Sequence, residues 1–253
     1  MELLEIKCLS KNFGGLKAVN NLDFEVNESE ILGLIGPNGA GKTTVFNVIS
    51  GFYPDSRGKI WFQGQDIRGM KPYKIAQLGI GRTFQASILF MDSSVVENVF
   101  IGFHIRYLGG LWKSFMHTPS ARREEKWARQ EAMSILEFMG LSDLRDERAK
   151  NLPHGHQRLL GISMAMAARP KLLLLDEPAG GMNPDETTHL VNLIKKIRDA
   201  GTTIVLVEHD MQAVMKACDR IVVLNYGEKI AEGIPQEITT NEAVIEAYLG
   251  REE

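Results

Sequence analysis

The architecture of this chain follows from one segment, ILGLIGPNGAGKTT at residues 31–44, in which a short apolar run passes into a glycine-rich loop. Polar residues flank the run 31–35 but do not enter it, and this pattern is typical of a strand buried in a parallel sheet. Beyond the loop, the apolar residues of 45–49 recur with the spacing of an α-helix. The segment therefore predicts a strand, a loop and a helix in that order.

Residues 36–43, GPNGAGKT, follow the phosphate-loop pattern G-x-x-x-x-G-K-[ST]. Glycines let the backbone curl so that successive N–H groups face phosphate oxygens, and the helix N-terminus adds partial positive charge. Lys42 would bridge the β- and γ-phosphates of a nucleotide, and the Thr43 hydroxyl would bind Mg²⁺. A glycine-rich turn with a chance lysine is the alternative, which the flanking strand and helix disfavour. The predicted nucleotide-binding residues of this segment are Gly36, Pro37, Asn38, Gly39, Ala40, Gly41, Lys42, Thr43 and Thr44.

A second apolar run, at residues 172–175, ends in Asp176 and Glu177. Open α/β sheets bind their ligands at the carboxyl ends of the strands, so these two carboxylates are predicted to lie beside the phosphate loop. Asp176 would hold Mg²⁺ through water, and Glu177 would polarise an attacking water. One such strand by itself would indicate little, but together with the phosphate loop it predicts a nucleoside triphosphatase.

The rest of the chain predicts an α/β fold. A third apolar run spans 203–207, and strands that alternate with helices indicate a parallel sheet with right-handed crossovers. Residues 1–30 and 58–66 alternate between apolar and polar, as half-buried antiparallel strands do. Residues 86–168 form a helical insertion, whose aromatic-rich start at 102–118 is either core or an apolar contact surface.

Composition narrows the class of protein. The 253 residues include 29 Lys and Arg against 32 Asp and Glu, a net charge of −3, and 44 % are hydrophobic. These values exclude a disordered chain and disfavour nucleic-acid binding through bulk positive charge. No run reaches the roughly 18 apolar residues of a membrane span, and the acidic N-terminus is unlike a signal peptide, so we expect a cytosolic protein. Cys8 and Cys218 are expected to be buried, reduced thiols.

Taken with the phosphate loop and the Asp176-Glu177 strand, four further elements in order make nearly the whole chain resemble the ATP-binding subunits of ABC transporters. Phe13 stands where the family has an aromatic that stacks on adenine, and Gln85 matches the Q-loop glutamine that contacts Mg²⁺ and the membrane subunit. Asn183 stands in the D-loop, and His209 matches the switch histidine near the γ-phosphate.

The resemblance implies a P-loop NTPase (RecA-like) core with an antiparallel β subdomain and a helical subdomain. In this sequence the whole chain, 1–253, would form one ATPase domain. The implied division gives the antiparallel subdomain residues 1–30 and 58–66, the core 31–57 and 169–233, the helical subdomain 86–168, and a C-terminal helix 234–253.

Four stretches are similar to the branched-chain amino-acid group of that family, and to the larger of its two ATPases. They are Asp176-Glu177-Pro178-Ala179-Gly180-Gly181-Met182-Asn183-Pro184, Glu208-His209-Asp210-Met211, Thr118-Pro119-Ser120-Ala121-Arg122-Arg123 and Ala247-Tyr248-Leu249-Gly250. The resemblance implies ATP and Mg²⁺ as cofactors and transmembrane permease subunits and a second ATP-binding subunit, either a copy or a paralogue, as partners. A periplasmic or extracellular solute-binding protein would act indirectly, no nucleic acid would be bound, and the chain would sit peripherally on the cytoplasmic side of the membrane.

One family element departs from its usual form. The signature loop, usually Leu-Ser-Gly-Gly-Gln, is here Leu152-Pro153-His154-Gly155-His156. The family's serine touches the γ-phosphate bound to the partner subunit, and Pro153 has neither a hydroxyl nor an N–H to donate. Leu152, Gly155 and His156 remain the predicted nucleotide-binding residues of this loop, and the departure leaves its support for full hydrolysis open.

Three other classes of protein are alternatives. ABC ATPases of DNA repair or chromosome structure carry long coiled coils, and no sustained heptads occur here. A P-loop kinase is disfavoured by Gln85 and His209. A regulatory nucleotide-binding module with weak or no hydrolysis is compatible with the altered signature loop, although Glu177 and His209, predicted with Gln85 to be the catalytic residues, are retained.

Overall fold

The structure, a computed structural model, describes residues 1–83, 89–103 and 119–249. Its strands are β1 (Glu2–Phe13), β2 (Leu16–Asn27), β3 (Ile31–Ile35), β4 (Arg57–Phe62), β5 (Gln65–Asp66), β6 (Ile80–Arg82), β7 (Leu172–Asp176), β8 (Thr203–Val207), β9 (Arg220–Asn225) and β10 (Glu228–Gly233). Its α-helices are α1 (Lys42–Ile49), α2 (Pro72–Leu78), α3 (Val95–Gly102), α4 (Pro119–Phe138), α5 (His154–Ala167), α6 (Pro184–Asp199), α7 (Met211–Ala217), α8 (Pro235–Thr239) and α9 (Glu242–Leu249).

The central sheet has six strands in the order β10-β9-β3-β8-β7-β6, and all neighbours are parallel except β10 with β9. The three predicted apolar runs are confirmed as β3, β7 and β8, and every residue in them is buried. Because these strands run in the same direction, their carboxyl ends open at one edge of the sheet. The edge strand β6 was not predicted, since its three residues are too few to show a period.

Both faces of this sheet are covered, which is why its central strands β3, β8 and β7 are almost entirely apolar. Alternate residues of β7 face opposite sides: Leu173 and Leu175 lie in one apolar layer, and Leu172 and Leu174 in the other. The first layer includes α3 to α7, and the second includes α1 and the antiparallel sheet. The α/β class predicted from the sequence is therefore confirmed.

The antiparallel sheet has the order β2-β1-β4-β5. One detail of its prediction was wrong, because Cys8 is exposed and not buried. Cys8 has φ 51°, the register of β1 against β2 shifts between Ile6 and Leu9, and this bulge returns Leu9 to the core. Gly58 lies inside β4 beside this bulge, where a Cβ atom would come 2.4 Å from the Cys8 carbonyl oxygen. Cys218 is buried as predicted, and burial raises the pKa of its thiol to about 12.

The regular structure in the described part of 86–168 is helical, joined by turns, with one short bridge between Ser94 and Arg148. Ser94 and Glu97 form a capping box that starts α3. Helix α4 begins at Pro119 and packs with α3 and α5 through buried residues such as Leu136. Most of the aromatic-rich stretch, 104–118, lies outside the described residues.

The C-terminal segment 234–253, predicted as one helix, instead contains the two helices α8 and α9 as far as it is described. The first starts at Pro235, whose fixed φ suits a first turn. Asn241 then accepts a hydrogen bond from the Val244 N–H at 3.3 Å, so a new helix starts where the first has ended. In the described ranges, no helix combines the length and apolar character needed to cross a membrane.

Candidate nucleotide site

The phosphate loop connects β3 to α1 and takes a shape that only glycine allows at two positions. Gly36 has φ 150° and Gly41 has φ 105°. A Cβ atom would lie 2.1 Å from the Leu224 carbonyl oxygen at the first position and 2.5 Å from the Ala18 carbonyl oxygen at the second. The loop is thus packed on β9 and β2, and Gly41 starts α1 without a side-chain cap. This is the arrangement that leaves backbone N–H groups at a helix N-terminus for an anion.

Lys42, the first residue of α1, is buried and points back across the loop. Its ammonium group donates hydrogen bonds to the carbonyl oxygens of Gly36 at 2.6 Å and Pro37 at 2.9 Å. Burial lowers the pKa of Lys42, while the negative charges of Glu177 and Asp176 act to raise it. The lysine therefore lies in the electrostatic field of the two predicted carboxylates, and the loop and the β7 terminus form one site.

Asp176 forms a buried ion pair with Arg82, a residue for which the sequence predicted no role. The Arg82 Nη2 to Asp176 Oδ2 distance is 3.0 Å, and the two side chains are 7 % and 3 % exposed. Arg82 Nη1 also donates to Asn47 Oδ1 at 2.7 Å and Ser50 Oγ at 3.0 Å. The arginine thereby ties the end of β7 to the helix that follows the phosphate loop. In the sequence, the only sign of this role is a charged residue three positions before Gln85. Its partner could not be inferred, because Asp176 lies 94 residues further along the chain.

The second oxygen of Asp176, Oδ1, is buried and has no hydrogen-bond partner among the described residues. Burial raises the pKa of Asp176, and the Arg82 guanidinium acts against that rise. A buried carboxylate oxygen with free acceptor capacity suits a hydrated Mg²⁺, which prefers oxygen ligands. Thr43, on the first turn of α1, is exposed, and Gln85 lies outside the described residues. The donor set that is described fits the predicted metal.

Glu177 and His209 follow the neighbouring strands β7 and β8 and meet at the edge of the sheet. His209 Nε2 and Glu177 Oε1 are 2.5 Å apart, and the side chains are 45 % and 23 % exposed. Glu177 has φ 49°, an unusual conformation for a residue other than glycine, and its N–H donates to the Val207 carbonyl oxygen at 2.9 Å. The structure therefore brings together Lys42, Asp176, Glu177 and His209, as the sequence predicted.

Phe13 lies at the end of β1, and its side chain is 42 % exposed, so it is not a core residue. Its ring packs edge-on against Tyr53 with centroids 5.1 Å apart, and the Lys11 ammonium lies 5.1 Å from its centroid. The ring is held in place while part of it remains open to solvent.

The signature residues start α5, whose N-cap is Pro153. Leu152 is buried, and His156 is half-buried with its Nδ1 unpartnered among the described residues. A Cβ atom at Gly155 would lie 2.9 Å from the Glu186 carboxylate, which closes the capping box of α6 with Asn183. Gly155 therefore packs against the start of α6, which is a structural reason for a glycine at this position.

The family model for ABC transporters matches residues 19–180. The chain belongs to the ABC transporter family. A second model, for branched-chain amino acid ATP-binding cassette transporters, matches residues 228–253 of this ABC protein. Membership establishes an ATP-binding subunit and an ATPase of this family.

Relatives of this ABC ATPase cover almost its entire length. It is 45 % identical over 249 residues to LivG of Escherichia coli K12, the high-affinity branched-chain amino acid transport ATP-binding protein, covering 98 % of each chain. It is 44 % identical over 253 residues to BraF of Pseudomonas aeruginosa, which carries the same description, again covering 98 % of each chain. A crystal structure of a nucleotide-free ATP-binding cassette from an ABC transporter is 32 % identical, with a TM-score of 0.87 over 99 % of this chain and 100 % of that chain.

Replacing Arg82 by Ala is expected to lower the free energy of unfolding by about 3–5 kcal/mol, because Asp176 would keep a buried charge without its partner. Denaturant titration of the purified chain measures the loss. Arg145→Ala, which removes an ion pair with Asp146 between side chains 53 % and 83 % exposed, is the matched control and should cost at most about 1 kcal/mol. Equal losses for the two variants would contradict the importance of the buried pair.

Replacing Lys42 by Ala is expected to raise the Kd for ATP by at least about tenfold, because a charge-assisted contact to phosphate contributes roughly 1.5–3 kcal/mol. Titration with a fluorescent ATP analogue measures the affinity. Lys59→Ala removes an exposed ammonium above the Trp61 ring and serves as the control with unchanged affinity. Unchanged affinity in the Lys42 variant would show that the loop is not the nucleotide site.

Proposed function

We propose that this ABC ATPase powers an importer of branched-chain or related amino acids. The observation that carries the proposal is the convergence of Lys42, Asp176, Glu177 and His209 at one edge of the central sheet. The solute class is supported by the relatives LivG and BraF. It is also supported by the second family model, whose matched residues, 228–253, contain none of those four site residues.

In the proposed mechanism, backbone N–H groups of the phosphate loop other than Pro37, which has none, and the Lys42 ammonium bind the phosphates of ATP. Glu177 accepts a proton from the water that attacks the γ-phosphorus, and the bond from that phosphorus to the bridging oxygen of ADP breaks. His209, hydrogen-bonded to Glu177, orients that carboxylate and faces the γ-phosphate. Phe13 stacks on the adenine, for which its partly exposed ring is suited.

Mg²⁺ would be held by Thr43, Gln85 and Asp176, the last through water. When bound, it would neutralise negative charge on the β- and γ-phosphates. The buried and unpartnered Oδ1 atom of Asp176 supports this assignment. The Arg82 ion pair occupies the other oxygen, so it leaves Oδ1 as the atom available to the hydrated metal.

We further propose that two subunits enclose two ATP molecules, with Leu152, Gly155 and His156 of one facing the phosphates bound by the other. The second subunit is a copy or a paralogue, and closure of the pair moves transmembrane permease subunits that receive solute from a periplasmic or extracellular binding protein. The chain then lies peripherally on the cytoplasmic side of the membrane. The division into antiparallel, core and helical subdomains is proposed with the ranges given above, except for the two C-terminal helices.

A regulatory nucleotide-binding module with weak hydrolysis is the competing proposal, because Pro153 cannot donate to a phosphate. The hydrogen bond between Glu177 and His209 favours hydrolysis, since a module that only binds nucleotide has no need of a carboxylate and a histidine held together at this edge.

Replacing Glu177 by Gln is expected to preserve ATP binding and to lower turnover by about 10²–10⁴-fold, because the amide keeps the shape but cannot take the proton. Phosphate release measures turnover, and gel filtration with ATP should show a trapped dimer. Glu137→Gln, on the exposed side of α4, is the matched control with normal turnover. Turnover of the Glu177 variant above roughly a tenth of the wild-type value would assign the base elsewhere.

The solute class is tested by purifying the membrane subunits that a tagged chain retains and reconstituting them in proteoliposomes with their binding protein. We expect ATP-driven uptake of labelled leucine, isoleucine or valine, absent when the Glu177→Gln chain replaces the wild type. ATP hydrolysis with no uptake of any of these would retain the ATPase and reject the proposed solute class.

A further inference from the structure

Glu208 lies between the last residue of β8 and His209, and it is a glutamate with 5 % of its surface exposed. Glutamate is almost never buried to this extent unless its carboxylate is satisfied. Burial and the nearby charge of Glu177 raise the pKa of Glu208, while backbone N–H groups of Ala179, His209 and Asp210 act to lower it. The chain thus keeps a carboxylate whose burial is energetically unfavourable beside its nucleotide site. The proposed mechanism assigns no role to this carboxylate.

The two carboxylate oxygens of Glu208 bind different loops. Oε1 accepts a hydrogen bond from the Ala179 N–H at 2.6 Å, and Oε2 accepts one from the His209 N–H at 3.0 Å. Ala179 stands two residues after Glu177, in the loop that follows β7, and His209 belongs to the loop that follows β8. One side chain therefore connects the backbone on both sides of the Glu177–His209 contact.

This connection acts where the backbone is strained. Glu177 has φ 49°, a conformation that a residue other than glycine keeps only when its surroundings hold it. On one side, its N–H is bound to the Val207 carbonyl oxygen at 2.9 Å. On the other side, the hydrogen bond from Ala179 to Glu208 fixes the chain two residues later.

We propose that Glu208 is a positioning residue whose carboxylate holds the two loops so that Glu177 and His209 stay within hydrogen-bond distance. The inference rests on the roles proposed above for those two residues. Lys42 is held by hydrogen bonds to the Gly36 and Pro37 carbonyl oxygens, and the phosphate loop packs on β9 and β2. None of these contacts includes Glu208, so a change at Glu208 acts on the rate of hydrolysis and leaves ATP binding intact.

The first test is Glu208→Gln. The amide oxygen can still accept from one N–H, but the amide nitrogen then faces the other N–H, and one of the two connections is lost. We expect kcat to fall roughly 10- to 100-fold, as for a misplaced reacting group, while KM and the directly measured affinity for ATP change by less than about twofold. Glu30→Gln is the matched control, because Glu30 is a half-buried carboxylate that accepts from the Asn27 N–H before β3, and its kcat should not change.

The second test is a double-mutant cycle with His209→Ala, measured under single turnover. If Glu208 acts through the Glu177–His209 contact, Glu208→Gln lowers the rate by less than about twofold once His209 is gone. Equal fold losses in both backgrounds, or a raised KM with normal kcat, would overturn the proposal and leave Glu208 a structural residue only.

Thermal unfolding is recorded for each variant to confirm that it folds. If Glu208→Gln does not fold, the double-mutant cycle is measured with Glu208→Asp, which keeps the charge on a shorter side chain. Failure of this inference can be told apart from failure of the proposed function by comparing the cycle with the Glu177→Gln variant. If Glu177→Gln retains turnover, the proposed roles are wrong and this inference fails with them. If Glu177→Gln is inactive and the cycle is additive, only the role of Glu208 is rejected.

Discussion

The interior carboxylate of Asp176 is the constraint around which the site is organised. A charge 3 % exposed at the end of β7 requires compensation, and Arg82 supplies it at 3.0 Å. In doing so, the arginine also binds Asn47 of α1 and Ser50, the C-cap of α1, which is the helix that follows the phosphate loop. The positions of the loop and of the carboxylate are thus coupled by one side chain.

Segments with a long and regular pattern could be predicted from the sequence. Strands β3 and β8 have the predicted bounds, and β7 extends the predicted run by one residue to Asp176, because fully buried parallel strands leave uninterrupted apolar runs. Helix α6 also begins at a local signal, since Asn183, Pro184 and Glu186 lie within one turn and Asn183 and Glu186 form a capping box in the structure. Asp176 and Glu177 were predicted because they follow such a strand at its carboxyl end, Lys42 because it completes the phosphate-loop pattern, and His209 from the resemblance to the ABC family.

The features that were not predicted depend on distant partners or on single residues. Strand β6 exists because it pairs with β7, about ninety residues later, and its own three residues carry no period. The bulge at Cys8 breaks the alternation of β1 at one position, which a strict period of two cannot anticipate. The roles of Arg82 and Glu208 depend on the buried groups that they contact. These groups are distant in sequence and come together only in the folded sheet, so the roles could not be predicted.

Because the bulge in β1 turns Cys8 toward solvent, the two cysteine thiols of the chain differ in reactivity. Cys8 faces solvent on the antiparallel sheet, whereas the buried Cys218 has a thiol pKa of about 12 and so carries almost no thiolate at neutral pH. A maleimide dye would therefore attach at one position of the native chain without any cysteine being removed. Energy transfer between a dye at Cys8 and a second dye on a membrane partner would then report how the antiparallel sheet moves relative to that partner, in a chain with its native sequence.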